Sequence, residues 1–415
     1  MQSGFVPTAA VAPEVAAPNS YRWVVLGAGT LAQGSPAAIF LGLASVTPLL
    51  RSTYGLSVSG VGILLGGISA GILLTLLPWG VLTDRVGERP VMVTGLLGAG
   101  VALSALPMVH SALAVATVLL LAGAFGASVN AASGRAALTW FPRRGRGVAM
   151  GVRQSSTPLG AAVAAGVLPG LGTAHGLAAV YWALASACLL SALLVAVAIR
   201  EPPGGRPRAA GRGQTRSVLT HRGLWRLSLA SGLLVVPQFT LGTLLVEYLH
   251  EAKGMAVTAA AAVLGIAQLS SAAGRLAVGA WSDRVGSRVR PLRTIGWATA
   301  GCFGAVAVVD HLGTAGSFLV LVPTLVVATV LATCWNGLAF TLAGEIAPAG
   351  QAAAAMGLQN SANYLAAALT PMLAGVVAAE RGWLAVFLLA GLAVLLSATL
   401  LRRAGHLGHE PSPER

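Results

Sequence analysis

Three arginines stand inside long apolar stretches of this chain: Arg135, Arg153 and Arg275. Each lies about six residues from the end of its stretch, roughly 9 Å deep at a helical rise of 1.5 Å per residue. A guanidinium that far into hydrocarbon costs on the order of 3 kcal/mol unless water or a partner meets it. Snorkelling to the interface is one resolution. The other is to line a water-filled cavity, where a planar fork of N–H donors suits an anion bidentately. Neutral polar groups occur in stretches of the same kind: Gln33, Ser35, Asn130, Gln154, Ser155, Gln238, Gln268, Asn336, Gln359, Asn360, Asn363 and Tyr364. Interhelical hydrogen bonds, worth about 0.6 kcal/mol on average, account for many of these. Trp335 suits either stacking on a bound molecule or plain packing. No Asp or Glu falls mid-stretch, and Glu247 and Glu345 sit at the ends. The inventory therefore suits recognition of an anion and lacks the mid-span carboxylate expected of a proton-driven exporter of cations.

The stretches themselves are membrane spans. Of 415 residues 56% are hydrophobic and 9% charged, with mean hydropathy +0.79, against about 25% charged residues in soluble domains. Apolar runs of about 20 residues, enough to cross a bilayer, fall at 23–49, 58–81, 91–109, 112–139, 147–171 and 177–198, then at 224–246, 257–280, 292–309, 316–342, 352–378 and 383–401. The expected fold is thus an all-α integral membrane protein of twelve transmembrane helices. Its parts are a tail (1–22), a six-helix unit (23–199), a Pro/Gly/Arg-rich solvated linker (200–223), a second six-helix unit (224–402) and a second tail (403–415).

The formal net charge of +14 would suit nucleic acid only if the basic residues formed one surface. Instead they fill the gaps between spans, so no nucleic-acid partner is expected. Lys253, the one lysine, lies in HEAKGM, so a GxxxxGK[ST] phosphate loop is absent. Cys188, Cys302 and Cys334 stand singly in apolar runs and read as small hydrophobes. No cofactor and no metal are expected. Of the 26 basic residues, only Arg51, Lys253 and Arg381 fall on one side of the membrane, three lie within spans, and the rest are opposite. The positive-inside rule makes that opposite side cytoplasmic, together with both tails and the linker.

The two halves repeat. GVLTDRVGERP, from Gly80 to Pro90, returns as GAWSDRVGSRVRP, from Gly279 to Pro291, with Gly80, Asp84, Arg85, Val86, Gly87 and Arg89 matched 199 residues later by Gly279, Asp283, Arg284, Val285, Gly286 and Arg288. Farther along, the offset is 206: Asn130 matches Asn336, Pro142 matches Pro348, Met150 and Gly151 match Met356 and Gly357, and Ser155 matches Ser361. Parallel six-span repeats with a site at their interface are a common build for secondary transporters.

On these paired G-x-x-x-D-R-x-G-x-R turns and the twelve spans, residues 23–401 resemble the major facilitator superfamily. The resemblance implies two six-helix bundles, a central cavity and alternating access. It also implies gating roles for Asp84, Arg85 and Arg89, and for Asp283 and Arg284 in the second copy. Glu88 departs from the pattern, standing where the family more often has a basic residue, with Ser287 in that place in the second copy. The stretches WFPRRGRGVAMGVRQSS and CWNGLAFTLAGEIAP are similar to branches that carry organic or inorganic anions, and GRLAVGAWSDR resembles a span-8 pattern whose arginine meets a substrate carboxylate. The expectation is a monomeric, multi-pass transporter in the plasma membrane. It would move a small organic anion by proton symport or anion exchange, with Arg275 as principal ligand beside Arg153, Arg135 and the neutral groups named above. Export of a drug or antibiotic is the alternative, for which TPLGAA, Thr157 to Ala162, is a partial signature. A transport-incompetent receptor on the same fold has no appended signalling domain in its favour.

Overall fold

The computed structural model describes residues 20–201, 215–312 and 317–403, and all regular elements among them are helical. Most of both expected tails and residues 202–214 of the expected linker lie outside the described residues. Among the described residues eleven helices are long and apolar enough to cross a membrane. One of them, Arg143–Ala198, has 56 residues and would extend about 84 Å if straight, far beyond a bilayer core of about 30 Å. Gly176, with φ 78° and ψ 176°, interrupts it in a conformation that side chains with a Cβ rarely adopt. On one side of this break, Gly160 packs so tightly on Gly34 that a Cβ would sit 2.5 Å from its carbonyl oxygen. On the other, the Ser191 hydroxyl lies 2.7 Å from that of Ser35. Both sides thus touch one turn of the same helix, so the segment is a hairpin and the described residues hold twelve spans.

We number them α1 (Tyr21–Tyr54), α2 (Val58–Val86), α3 (Glu88–Met108), α4 (Ala112–Trp140), α5 (146–175), α6 (177–198), α7 (Arg222–Ala252), α8 (Val257–Val285), α9 (Val289–Leu312), α10 (Phe318–Glu345), α11 (Ala352–Arg381) and α12 (Trp383–Arg403). Local signals set their ends. The Ser57 and Ser111 hydroxyls accept from the N–H groups of Gly60 and Ala114 at 3.1 and 3.3 Å and cap α2 and α4. Inside α1, Pro36 is followed by a π-helical turn, Ala38–Gly42, and a 3-10 turn, Leu43–Val46, where the regular ladder cannot be kept. α10 is interrupted at Trp335, which is fully buried and donates its indole N–H to Ala332. Trp335 therefore packs.

Two apolar clusters belong to α1–α6 and one to α7–α12, so each set of six helices has its own core. A further cluster draws on both sets, bringing Leu26, Leu138 and Met150 together with Leu338, Phe340 and Met356. The last part of the expected linker also joins this shared end. Thr215–Thr220 is a short helix, Val218 is buried in the shared cluster, and the Ser217 hydroxyl bonds the Gln351 amide at 3.0 Å. Burial of that one apolar side chain gives the segment a docking point that its Gly- and Arg-rich context does not advertise.

Candidate functional site

Between the bundles lies a cavity of about 470 Å³. Its walls follow the sequence repeat. Asn130 and Asn336, Gln154 and Asn360, Thr157 and Asn363, Pro158 and Tyr364, and Ala161 and Ala367 all line it as matched pairs. Gln238, Gln268 and Arg275 line it too, so nine of the eleven side chains expected at a substrate site meet here, and no carboxylate among the described residues does. Arg275 and Gln238 reach it from α8 and α7, Asn336 from α10, Asn130 from α4 and Gln154 from α5.

Arg275 is 7% exposed. Its Nε donates to the Thr333 carbonyl at 3.2 Å and its Nη1 to the Gln154 carbonyl at 2.6 Å, a bond from one bundle to the other. No protein partner for Nη2 appears among the described residues. Arg153 is a different case. At 1% exposure it is absent from the cavity wall, and its donors are taken up by Ser133 Oγ at 2.9 Å, Gln154 Oε1 at 2.6 Å, Gln33 Oε1 at 3.3 Å, and both the carbonyl and the side-chain oxygen of Asn130. Its guanidinium also faces the Phe340 ring at 4.9 Å. Arg153 therefore holds Asn130 and Gln154 in place from behind. Asn336 donates to Gln238 at 3.0 Å. The side-chain oxygen of Asn363 and both amide atoms of Gln359 are buried without a partner among the described residues.

The third arginine is elsewhere. Arg135 lies on α4 five residues beyond Asn130, about 140° around the helix, and points away from the cavity toward one end of the molecule. There its Nε is 3.2 Å from Asp84 and its Nη1 2.9 Å from Glu88, the latter an ion pair whose angle falls short of a hydrogen bond. Expected as a cavity ligand, Arg135 is a structural cation of the turn after α2.

That turn grips the opposite bundle. The Asp84 carboxylate accepts the N–H groups of Ala353 and Ala354 at 3.0 and 2.8 Å, the first free donors of α11. The second copy does the same in return: Asp283 accepts from Gly147 and Val148 at 3.0 and 2.9 Å, at the start of α5. Around both contacts the backbones nearly touch. A Cβ on Gly80 would stand 2.5 Å from the Ala353 oxygen, and Gly279 and Gly147 leave no room for a Cβ on either. One turn deeper, Gly357 faces the Leu76 oxygen and Gly151 the Arg275 oxygen, at 2.6 and 2.7 Å for a Cβ. These contacts all lie toward the end where Asp84 and Asp283 sit, so the molecule is latched shut at that end.

A model described as Major Facilitator Superfamily matches residues 30–371. The chain belongs to that superfamily. An uncharacterized MFS-type transporter of Mycobacterium tuberculosis is 35% identical over 386 residues, covering 92% of this chain and 84% of that protein. Among solved structures, the human organic anion transporter MFSD10 (TETRAN) superposes with a TM-score of 0.73 at 19% identity, over 92% of this chain and 99% of that one. A bacterial homologue of the iron transporter ferroportin, in its outward-facing state, gives 0.78 at 14% identity, over 94% and 100%. At those identities the likeness is one of fold. This facilitator is a multi-pass membrane transporter.

In this facilitator the latches match in their aspartates and differ in the rest. Arg85, Arg89 and Arg284, expected to gate with the aspartates, are exposed and make no ion pair among the described residues. The cation of the second latch is Arg288, which bonds Asp283 at 2.6 Å, Glu345 at 3.3 Å and the Arg143 carbonyl at 2.5 Å, while Arg146 approaches Glu345 at 3.6 Å. Each latch is two acids on one central arginine: Asp84 and Glu88 on Arg135, Asp283 and Glu345 on Arg288. Glu345 is thus part of a latch, beyond its expected place at a helix end. A signal was present in the repeat. Position 341, which matches Arg135, is Thr341, so the second aspartate must take its cation from elsewhere, and Arg288 stands in its own turn.

Proposed function

We propose that this facilitator moves a small organic anion, with Arg275 as its principal ligand, by proton symport or anion exchange, in the plasma membrane. One observation carries the reading: two guanidinium groups, Arg153 and Arg275, lie in the middle of the molecule, 1% and 7% exposed, and neither is paired with a carboxylate among the described residues. A buried charge of that kind is costly until a counter-ion arrives. An anion in the cavity supplies it, and Arg275 is the arginine that reaches the wall.

The latched end takes the side of the basic loops, including Arg85, Arg89, Arg143, Arg144, Arg284 and Arg290. Arg51, Lys253 and Arg381 lie at the other. By the positive-inside rule the latch is cytoplasmic and the cavity opens outward. The chain would act as a monomer on a small-molecule substrate within the lipid bilayer.

The test is uptake and equilibrium binding in liposomes across a panel of labelled monocarboxylates, dicarboxylates and antibiotics. Loss of one partner of a buried charge pair costs about 2–5 kcal/mol, so Arg275→Gln should weaken binding of the transported anion on the order of 100-fold or more. Arg275→Lys, which keeps charge but not the planar fork, should fall between Arg275→Gln and the parent. Arg290→Gln, at an exposed loop position, should change nothing. Parental affinity in Arg275→Gln would remove the anion assignment.

A further inference from the structure

We infer that the transported anion carries a single negative charge on a compact aromatic or branched apolar body, and that it enters charge-first. The inference rests on the anion reading above and adds the substrate class. The first ground is the number of available charges. Among the described residues only Arg275 presents a guanidinium to the cavity wall, while the Arg153 donors are already shared among Ser133, Gln154, Gln33 and Asn130. The internal repeat makes this asymmetry explicit. The residue matching Arg275 in the other bundle is Leu76, and the residue matching Arg153 is Gln359. A second anionic group in the cavity would therefore find neutral amides and no second cation, and a carboxylate taken out of water without a counter-charge is strongly disfavoured.

The second ground is where charge and carbon lie. Arg275 is ten residues from the latched end of α8, about 15 Å in, at the closed floor. Between the amide and hydroxyl groups the wall is carbon. Phe40, on the π-helical turn of α1, and Tyr364, on α11, line it from opposite bundles with their rings 5.6 Å apart. Phe239 and Ala165 continue the wall, and Ala165 lies on α5 toward the Gly176 hairpin, the end opposite the latch. A molecule entering there passes these carbon groups, with the neutral Gln268 and Thr243 among them, before its charge meets Arg275. A cavity of about 470 Å³ holds one ring or one branched chain beside the charged group and its water.

Equilibrium binding to the purified full chain in nanodiscs tests this with six probes: phenylacetate, isovalerate, acetate, homophthalate, 2-phenylethanol and phenethylamine. Phenylacetate or isovalerate should bind at millimolar concentration or below. Acetate, which lacks the body, and homophthalate, which adds a second carboxylate, should each be weaker by about tenfold or more, as expected from losing one ring's burial or stranding one charge. Phe40→Ala should weaken phenylacetate more than acetate and so narrow the gap between them. Homophthalate or acetate binding as tightly as phenylacetate, with all of it lost in Arg275→Gln, would overturn the single-charge, apolar-body class and leave the anion reading standing. If 2-phenylethanol or phenethylamine matched phenylacetate and Arg275→Gln changed none of the three, the anion reading itself would fall. Failure of both phenylacetate and isovalerate to bind at millimolar concentration would also overturn the class.

Discussion

Replacing Asp84 with alanine should loosen the latched end without unfolding the bundles. The carboxylate accepts two backbone N–H groups of α11 at 3.0 and 2.8 Å and pairs with Arg135 at 3.2 Å. Hydrogen bonds to a charged acceptor contribute about 1.5–3 kcal/mol each, and Arg135 keeps Glu88 at 2.9 Å, so the closed state should lose about 3 kcal/mol from the two N–H bonds. When the end is open, the same carboxylate is hydrated and its loss costs little. The ratio of closed to open should therefore fall on the order of 100-fold, at 1.4 kcal/mol per factor of ten. Asp84→Asn keeps an acceptor oxygen but no charge and should give about a tenfold shift. Spin labels on cysteines replacing Arg89 and Arg284, exposed positions on opposite bundles at the latched end, read this directly when the half-buried Cys302 is replaced by serine. In Asp84→Ala the distance distribution should gain a longer component, and substrate turnover should slow. An unchanged distribution together with unchanged turnover at matched membrane abundance would reduce the turn to a topology signal.

Arg288→Gln should lengthen the same distance, since Asp283, Glu345 and the Arg143 carbonyl share that side chain; Arg89→Gln, at the matched but exposed position, should stay within about 0.5 kcal/mol of the parent in thermal unfolding. Gly279→Ala places a Cβ against the Gly147 oxygen and should force the latch apart in the same distance measurement, whereas Gly62→Ala, with nothing within 4 Å, should leave it alone. A cysteine at Arg144, exposed at the latched end, should resist an impermeant thiol reagent outside intact cells and react in inside-out vesicles; labelling from outside would reverse the proposed orientation.

Span positions and the repeat were legible because both are one-dimensional signals, hydropathy and spacing. The break at Gly176 falls within the expected gap between the fifth and sixth spans. Nine cavity residues were legible for the same reason, as polar groups in apolar runs. What the spacing leaves open is azimuth. Arg135 and Arg153 have the same depth and the same kind of neighbours, yet one helix face leads to Asp84 and Glu88 and the other to Asn130 and Ser133. Their partners are fixed by which helices meet, and Asp84 finds Ala353 across 269 residues of chain. The buried latch cations were not legible because a motif records residue types: Arg85 and Arg284 match well, but burial falls to Arg288 and to Arg135, which lies outside the motif. Glu88, a departure from the family pattern, gains its sense only beside Arg135.

The reciprocity of the two latches reaches beyond gating. Asp84 caps Ala353 and Ala354 while Asp283 caps Gly147 and Val148, and each pair of helix starts is the repeat image of the other. Residue i of one half meets residue j of its copy, and j meets i. That is the signature of an isologous dimer contact, here contained within a single polypeptide. A half expressed alone would leave one aspartate without its donors and one helix start without its acceptor. Two halves supplied as separate chains would each carry the acceptor and the donors that complete the other.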